Sequence, residues 1–113
     1  MKIWVFDDNL FWSSRLIGSL TALGHEASTI ASLPADGSWA DVALINLATQ
    51  GNRVAELVSA LRGRGVRTIG FAGHKEKELL ELGKESGCDE VATNSEITFK
   101  LNSILGRTFP ADA

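Results

Sequence analysis

The sequence predicts a single α/β domain built on a five-stranded, open parallel sheet with helices on both faces. Three observations carry this. Short apolar runs recur along the 113 residues without in–out alternation, as strands buried on both faces require. Stretches with apolar residues at helical spacing alternate with them, and the connections are too short for anything but crossovers. Hydrophobic residues make up 44% of the chain and charged residues 22%, enough for one ordinary core without disulfide or metal staples.

The first run, Ile3-Trp4-Val5-Phe6, is a buried strand followed by two acids. Asn9 is suited to cap a helix that carries Leu16, Ile17, Leu20 and Leu23 on one face and stops at Gly24. Glu26 to Ile30 is a weaker, more polar strand that belongs at a sheet edge. Residues 31–40, with Pro34, Gly37 and Ser38, read as a loop. Val42-Ala43-Leu44-Ile45 is the next buried strand and ends at Asn46, followed by a loop through Gly51. Val54, Leu57, Val58 and Leu61 mark a helix ending near Gly63 or Gly65. Arg67 to Ala72 is a further buried strand, and residues 75–86 form a helix with Leu79, Leu80 and Leu82 that Gly87 stops. Glu90-Val91-Ala92 is a short strand. Ser95 is placed to cap a last helix bearing Ile97, Leu101, Ile104 and Leu105, and the tail from Gly106 is expected to fray.

Five strands alternating with helices suggest the flavodoxin-like strand order 2-1-3-4-5, in which ligands bind beyond the carboxyl ends of the strands. Trp4 is expected in the core. Trp12, with Phe11 beside it, falls near the edge of its helix's apolar face, either packed or available as an anchor.

Composition excludes several classes. The net charge is −3, and the Lys and Arg residues are scattered apart from Arg62, Arg64 and Arg67, which argues against nucleic-acid binding. Cys88 is alone, so no internal disulfide can form and a thiolate metal site is not expected. No apolar run is long enough to span a membrane, and the N-terminal apolar stretch is too short for a signal peptide, so a cytoplasmic protein is expected. There is no phosphate loop, no G-x-G-x-x-G and no Ser/His/Asp grouping, so an enzyme is not expected.

Beyond the strands stand Asp7 and Asp8, then Asn46, then Gly73 and His74, then Thr93 and Asn94. With Val5-Phe6-Asp7-Asp8-Asn9, Asp41-Val42-Ala43-Leu44-Ile45-Asn46-Leu47 and the Gly87-Cys88-Asp89 turn, the chain resembles the CheY-like receiver domains of two-component response regulators. The resemblance implies a three-layer CheY-like fold over residues 1–106, with 107–113 as a C-terminal tail. Residues 31–40 are too few for the helix receivers carry between their second and third strands, so that helix should be shortened or missing. Leu33 and Trp39 would then cover the face it leaves open.

Receivers phosphorylate an Asp after the third strand, hold Mg²⁺ on an acidic pair, and bind the phosphoryl group with a Ser or Thr and a Lys. Carried over, the acidic pair is Asp7 and Asp8. The acceptor position is Asn46, the hydroxyl position Ala72, the Lys position Asn94 and the aromatic switch position Val91. Asn46 has no nucleophilic carboxylate, Ala72 no hydroxyl and Asn94 no positive charge. The resemblance therefore implies a degenerate pseudo-receiver that does not run Asp phosphorylation. Asp7 and Asp8 are expected to hold Mg²⁺ weakly at most, and otherwise to act as a helix cap and a solvated acid. The expected work is interaction with an unidentified protein partner, or with a second copy, through a face bearing Leu80, Phe99 and Val91. The alternative is a small-molecule site in the vestigial pocket of Asp7, Asp8, Asn46, Ala72, Thr93 and Asn94. His74 reads as a solvated residue at the same rim, and nothing activates Cys88.

Overall fold

The computed structural model describes residues 1–108, with side chains to Gly106. Five strands, β1 (Lys2–Phe6), β2 (Glu26–Thr29), β3 (Val42–Asn46), β4 (Arg67–Ala72) and β5 (Glu90–Thr93), form one parallel sheet in the order β2-β1-β3-β4-β5. The helices are α1 (Leu10–Ala22), α2 (Leu47–Gln50), α3 (Val54–Gly63), α4 (Lys77–Glu85), α5 (Asn94–Phe99) and α6 (Leu101–Thr108), with a 3-10 turn at Gly51–Arg53. This is the strand order and layering that the sequence predicts.

The sheet divides the core in two. On one face Ile3, Val5, Leu44, Ile69 and Phe71 pack against Leu16 and Leu20 of α1, Ile97 of α5 and Leu101, Ile104 and Leu105 of α6. On the other, Trp4, Phe6, Ala43 and Ile45 pack against Leu47 of α2 and Val54, Leu57, Val58 and Leu61 of α3. The central strands are thus apolar on both sides, which is why their sequences run without alternation. Edge strand β2 is short and largely exposed, with polar residues that discourage further pairing.

No helix joins β2 to β3. Arginine side chains instead pin the connection by its backbone: Arg53 donates to the Ala31 carbonyl at 3.3 Å, and Arg64 donates to the carbonyls of Ser38 at 2.9 Å and Pro34 at 2.6 Å. Ile30 and Leu33 pack against the second core. Trp39, expected to share that cover, is instead 49% exposed.

Three local readings are corrected. Residues 47–50 are helical, because Asn46 caps them by accepting from the amides of Ala48 and Thr49. The helix expected over 75–86 begins at Lys77. The last helix is capped by Thr93 and not Ser95, since Thr93 and Glu96 form a reciprocal capping box. That helix is also broken at Lys100, whose φ of −128° and ψ of 28° are not helical. In the turn before the break, the Thr98 hydroxyl donates to the Asn94 carbonyl at 2.8 Å, a back-bond that bends helices. Of the expected tail, α6 includes residues 107 and 108, and residues 109–113 lie outside the described residues.

Candidate functional site

Register places the carboxyl ends of four strands at one rim: Phe6 pairs with Ile45, Asn46 with Phe71, and Ala72 with Thr93. Asp7, Asp8, Asn46, Ala72 and Asn94 therefore stand along the same edge. Their environments differ sharply. Asp7 is 3% exposed; its Oδ1 accepts the Asn9 amide at 2.9 Å, and its Oδ2 is buried with no hydrogen-bond partner. Asp8 is exposed, and its amide donates to the Thr49 hydroxyl at 3.3 Å, tying the end of β1 to α2.

The Asn46 side chain is committed to structure. Its Oδ1 accepts the Ala48 amide at 3.0 Å and the Thr49 amide at 3.4 Å. Gln50 is buried and bridges Thr49 to Arg53: its Nε2 donates to the Thr49 hydroxyl, and its Oε1 accepts from the guanidinium. Ala72 is buried and offers only a methyl group. Just beyond it, the Gly73 amide donates to Glu76 Oε1 at 2.9 Å. Asn94 is exposed at the start of α5, beside the Thr93–Glu96 box. His74 is exposed.

The side chains of Asp7, Asp8, Asn46, Ala72 and Asn94 themselves offer oxygen atoms and no positive charge. The unpartnered Asp7 Oδ2 has the character of a metal ligand. Yet only Asp8 joins it as a second carboxylate, and Asn46 Oδ1 is turned onto a helix N-terminus. Among the described residues, no group of three or more His, Cys, Asp or Glu side chains could hold a metal ion. The donors present do not fit a resident Mg²⁺, whose shell needs more oxygens held in place.

No protein-family model matches the sequence, and no curated protein matches it. Solved structures do. The receiver domain of NtrX from Brucella abortus superposes with a TM-score of 0.78 at 18% identity, over 96% of this chain and 98% of that one. The receiver domain of the TMAO respiratory response regulator TorR gives 0.72 at 23% identity, over 95% and 98%. The CheY-like protein tadZ from Pseudomonas aeruginosa PAO1 gives 0.72 at 19% identity, over 96% and 98%. The fold is that of response-regulator receiver domains. Two longer NtrX structures also match, and there the chain spans only about a quarter of the partner's length, 27% and 28%.

The residues named for the expected interaction face, Leu80, Val91 and Phe99, lie on α4, edge strand β5 and α5. Leu80 is half-buried and packs with Leu79, Leu82, Cys88 and Val91 against the second core, because short α4 needs all of these to cover its side of the sheet. Phe99 is 81% exposed and lies on the opposite side of the sheet, beside Ala22 and Leu23 at the end of α1. Trp12 is half-buried against the first core. Four cavities on the described surface lie elsewhere, lined by residues of α1, α5 and the start of α6, of α3 and the β2–β3 connection, and of the α3–β4 turn with Asp89.

Thr49, Gln50, Glu76 and Glu96 went unremarked in the sequence. The Thr93-x-x-Glu96 spacing is a capping-box signal that could have found the last of these. Away from the rim, burial pushes the Cys88 thiol up to about 11, and the neighbouring Asp89 carboxylate adds to this. No helix among the described residues is long and apolar enough to cross a membrane.

Proposed function

We propose that this chain is a pseudo-receiver: a receiver-fold module that works in signalling or regulation by binding another protein, without carrying a phosphoryl group. The observation that carries the reading is Asn46 at the acceptor end of β3, with its carboxamide oxygen spent on the cap of α2. An amide is no nucleophile for an acyl phosphate. Ala72 and Asn94, at the neighbouring strand ends, supply neither a hydroxyl nor a positive charge to hold phosphoryl oxygens. On this reading the chain is not an enzyme, and its partner is a protein and not a nucleic acid or membrane. The alternative is a small-molecule site at the same rim, whose groups would be Asp7, Asp8, Asn46, Ala72, Thr93 and Asn94.

The test is incubation with acetyl phosphate and Mg²⁺, followed by intact-mass analysis. The expected result is an unchanged mass. A base-labile adduct of about 80 Da, the mass of a phosphoryl group on an activated nucleophile, would overturn the reading.

A further inference from the structure

Arg62, Arg64 and Arg67 fall together at the turn from α3 into β4, and from Leu57 to Lys75 the chain carries no acid. Because the strands are parallel, this turn stands at their amino ends, at the opposite end of the sheet from the Asp7–Asn46 rim. Beside it is a hollow of about 150 Å³ lined by Arg62, Gly65, Val66, Arg67 and Asp89. Gly65 has a φ of +75°, and a Cβ built there would lie 4.0 Å from Trp39 Nε1, so the indole sits against the same turn. Trp39 is 49% exposed, whereas Trp4 is buried and Trp12 half-buried.

The hydrogen bonds of this corner leave its positive charge standing. Arg62 donates to the Gly87 carbonyl at 2.7 Å, and Arg64 donates to the carbonyls of Ser38 and Pro34. Carbonyls hold the guanidiniums in place without neutralising them. The nearby acids accept from other donors. Asp89 Oδ2 takes the Thr68 amide at 2.8 Å, Asp41 Oδ2 the Lys2 amide at 2.7 Å and Asp36 Oδ1 the Ser38 amide at 2.9 Å. Exposed Trp and Arg are the residue types that most often anchor protein interfaces, and a guanidinium binds a carboxylate through charge-assisted hydrogen bonds. Asp89 decides between anionic partners, because it forms one wall of the hollow. A nucleic-acid backbone, charged at every phosphate, would be driven against that carboxylate. A single carboxylate on a peptide fits on the guanidinium side, with an apolar neighbour laid on the indole.

We propose that the α3–β4 corner, with Trp39, docks an acidic segment of the protein partner that carries an apolar residue beside the acid. This deepens the protein-binding reading above and rests on it. The two fail separately: a phosphoryl adduct in the acetyl phosphate experiment removes the pseudo-receiver reading whatever peptides bind, and a negative result at this corner leaves the rim as it was.

The experiment is fluorescence anisotropy of the full chain with three labelled probes. They are a dodecapeptide of the repeat Glu-Leu-Ser, the same peptide with Gln for every Glu, and an oligothymidylate of equal length. Arg62→Gln and Trp39→Ala test the corner, Arg15→Gln on α1 is the distant control, and thermal melts establish which variants fold. The Glu peptide is expected to bind, more weakly as salt is raised, and the Gln peptide at least about tenfold more weakly. Trp39→Ala and Arg62→Gln should each weaken the Glu peptide by a similar factor, and Arg15→Gln should not. If Arg62→Gln does not fold, Trp39→Ala carries the test alone. Absence of binding up to millimolar protein overturns the proposal. So does equal binding of the Gln peptide, or binding indifferent to every folded corner variant. An oligothymidylate that binds more tightly than the Glu peptide, and is lost in the corner variants, also overturns it by making the corner a nucleic-acid site.

Discussion

Asn46 and Thr49 bind each other in both directions: Asn46 Oδ1 accepts the Thr49 amide, and the Thr49 hydroxyl donates to the Asn46 carbonyl, each at 3.4 Å. The same hydroxyl accepts the Asp8 amide, so one threonine joins the ends of β1 and β3. Asn46, at the carboxyl end of β3, thus serves as a structural cap.

Replacing Asn46 separates these roles. Asn46→Ala should cost about 1 kcal/mol, the usual value of an N-cap. Asn46→Asp keeps a capping oxygen but adds a third carboxylate beside Asp7 and Asp8, so it should be less stable than wild type without metal. Mg²⁺ should then restore stability, because the third carboxylate completes a harder oxygen shell. Melting curves with and without Mg²⁺ check this. An equal response of wild type and Asn46→Asp would mean that position 46 does not face the acidic pair.

Two helix glycines should respond in opposite directions to alanine. A Cβ on Gly18 would meet nothing within 4 Å, so Gly18→Ala should stabilise the dilute protein by about 0.5–1 kcal/mol through helix propensity alone. A Cβ on Gly83 would come within 3.1 Å of both Leu47 and Val91. Leu47 is fully buried and has little room to retreat, so Gly83→Ala should destabilise by about 1–3 kcal/mol, the cost of overpacking. Denaturant unfolding of the two variants checks the signs.

Cys88 should be chemically quiet. With its thiol held at about 11, it presents roughly a hundredfold less thiolate at pH 8 than a cysteine at its ordinary value. Alkylation by iodoacetamide should be slower by at least that factor in the folded protein. It should reach the ordinary rate in denaturant. Rapid alkylation under native conditions would contradict the burial.

Arg64 should govern the β2–β3 connection. Arg64→Met removes the donors to the Pro34 and Ser38 carbonyls while keeping much of the apolar stem. Chymotryptic cleavage after Trp39 should accelerate in the variant, and limited-proteolysis time courses would measure it. A cleavage rate matching wild type would show that the arginine does not hold the segment.

The strands were legible because Ile3–Phe6, Val42–Ile45 and Ile69–Ala72 are buried on both faces and carry their burial without in–out alternation. The missing helix was legible from the shortness of residues 31–40 against the helix that the receiver resemblance implies there. What escaped depended on side chains reaching out of their own element. Helix α2 exists because Asn46 and Thr49 close on each other, a geometry that composition does not display. The break at Lys100 interrupts an apolar stripe that reads as continuous from Ile97 to Leu105. Leu80 was misplaced for a related reason: on so short a helix, a side chain off the main stripe still reaches the core. The rim positions were found from strand ends, but the commitment of Asn46 to capping was visible only in three dimensions.

The clamp on residues 31–40 grips main-chain oxygens and takes no notice of which side chains the segment bears. Apart from Leu33 and Ala40, which pack in the second core, its sequence is therefore free to drift, or to be exchanged, at little cost to folding. Ala35 and Asp36 lie between the Pro34 and Ser38 anchor points and are exposed. A short epitope or a fluorophore-accepting peptide grafted at that junction would ride on a loop whose two feet are both held by Arg64, the residue that ends α3. The protein thus carries a ready attachment point on the side of the sheet away from α1 and α5.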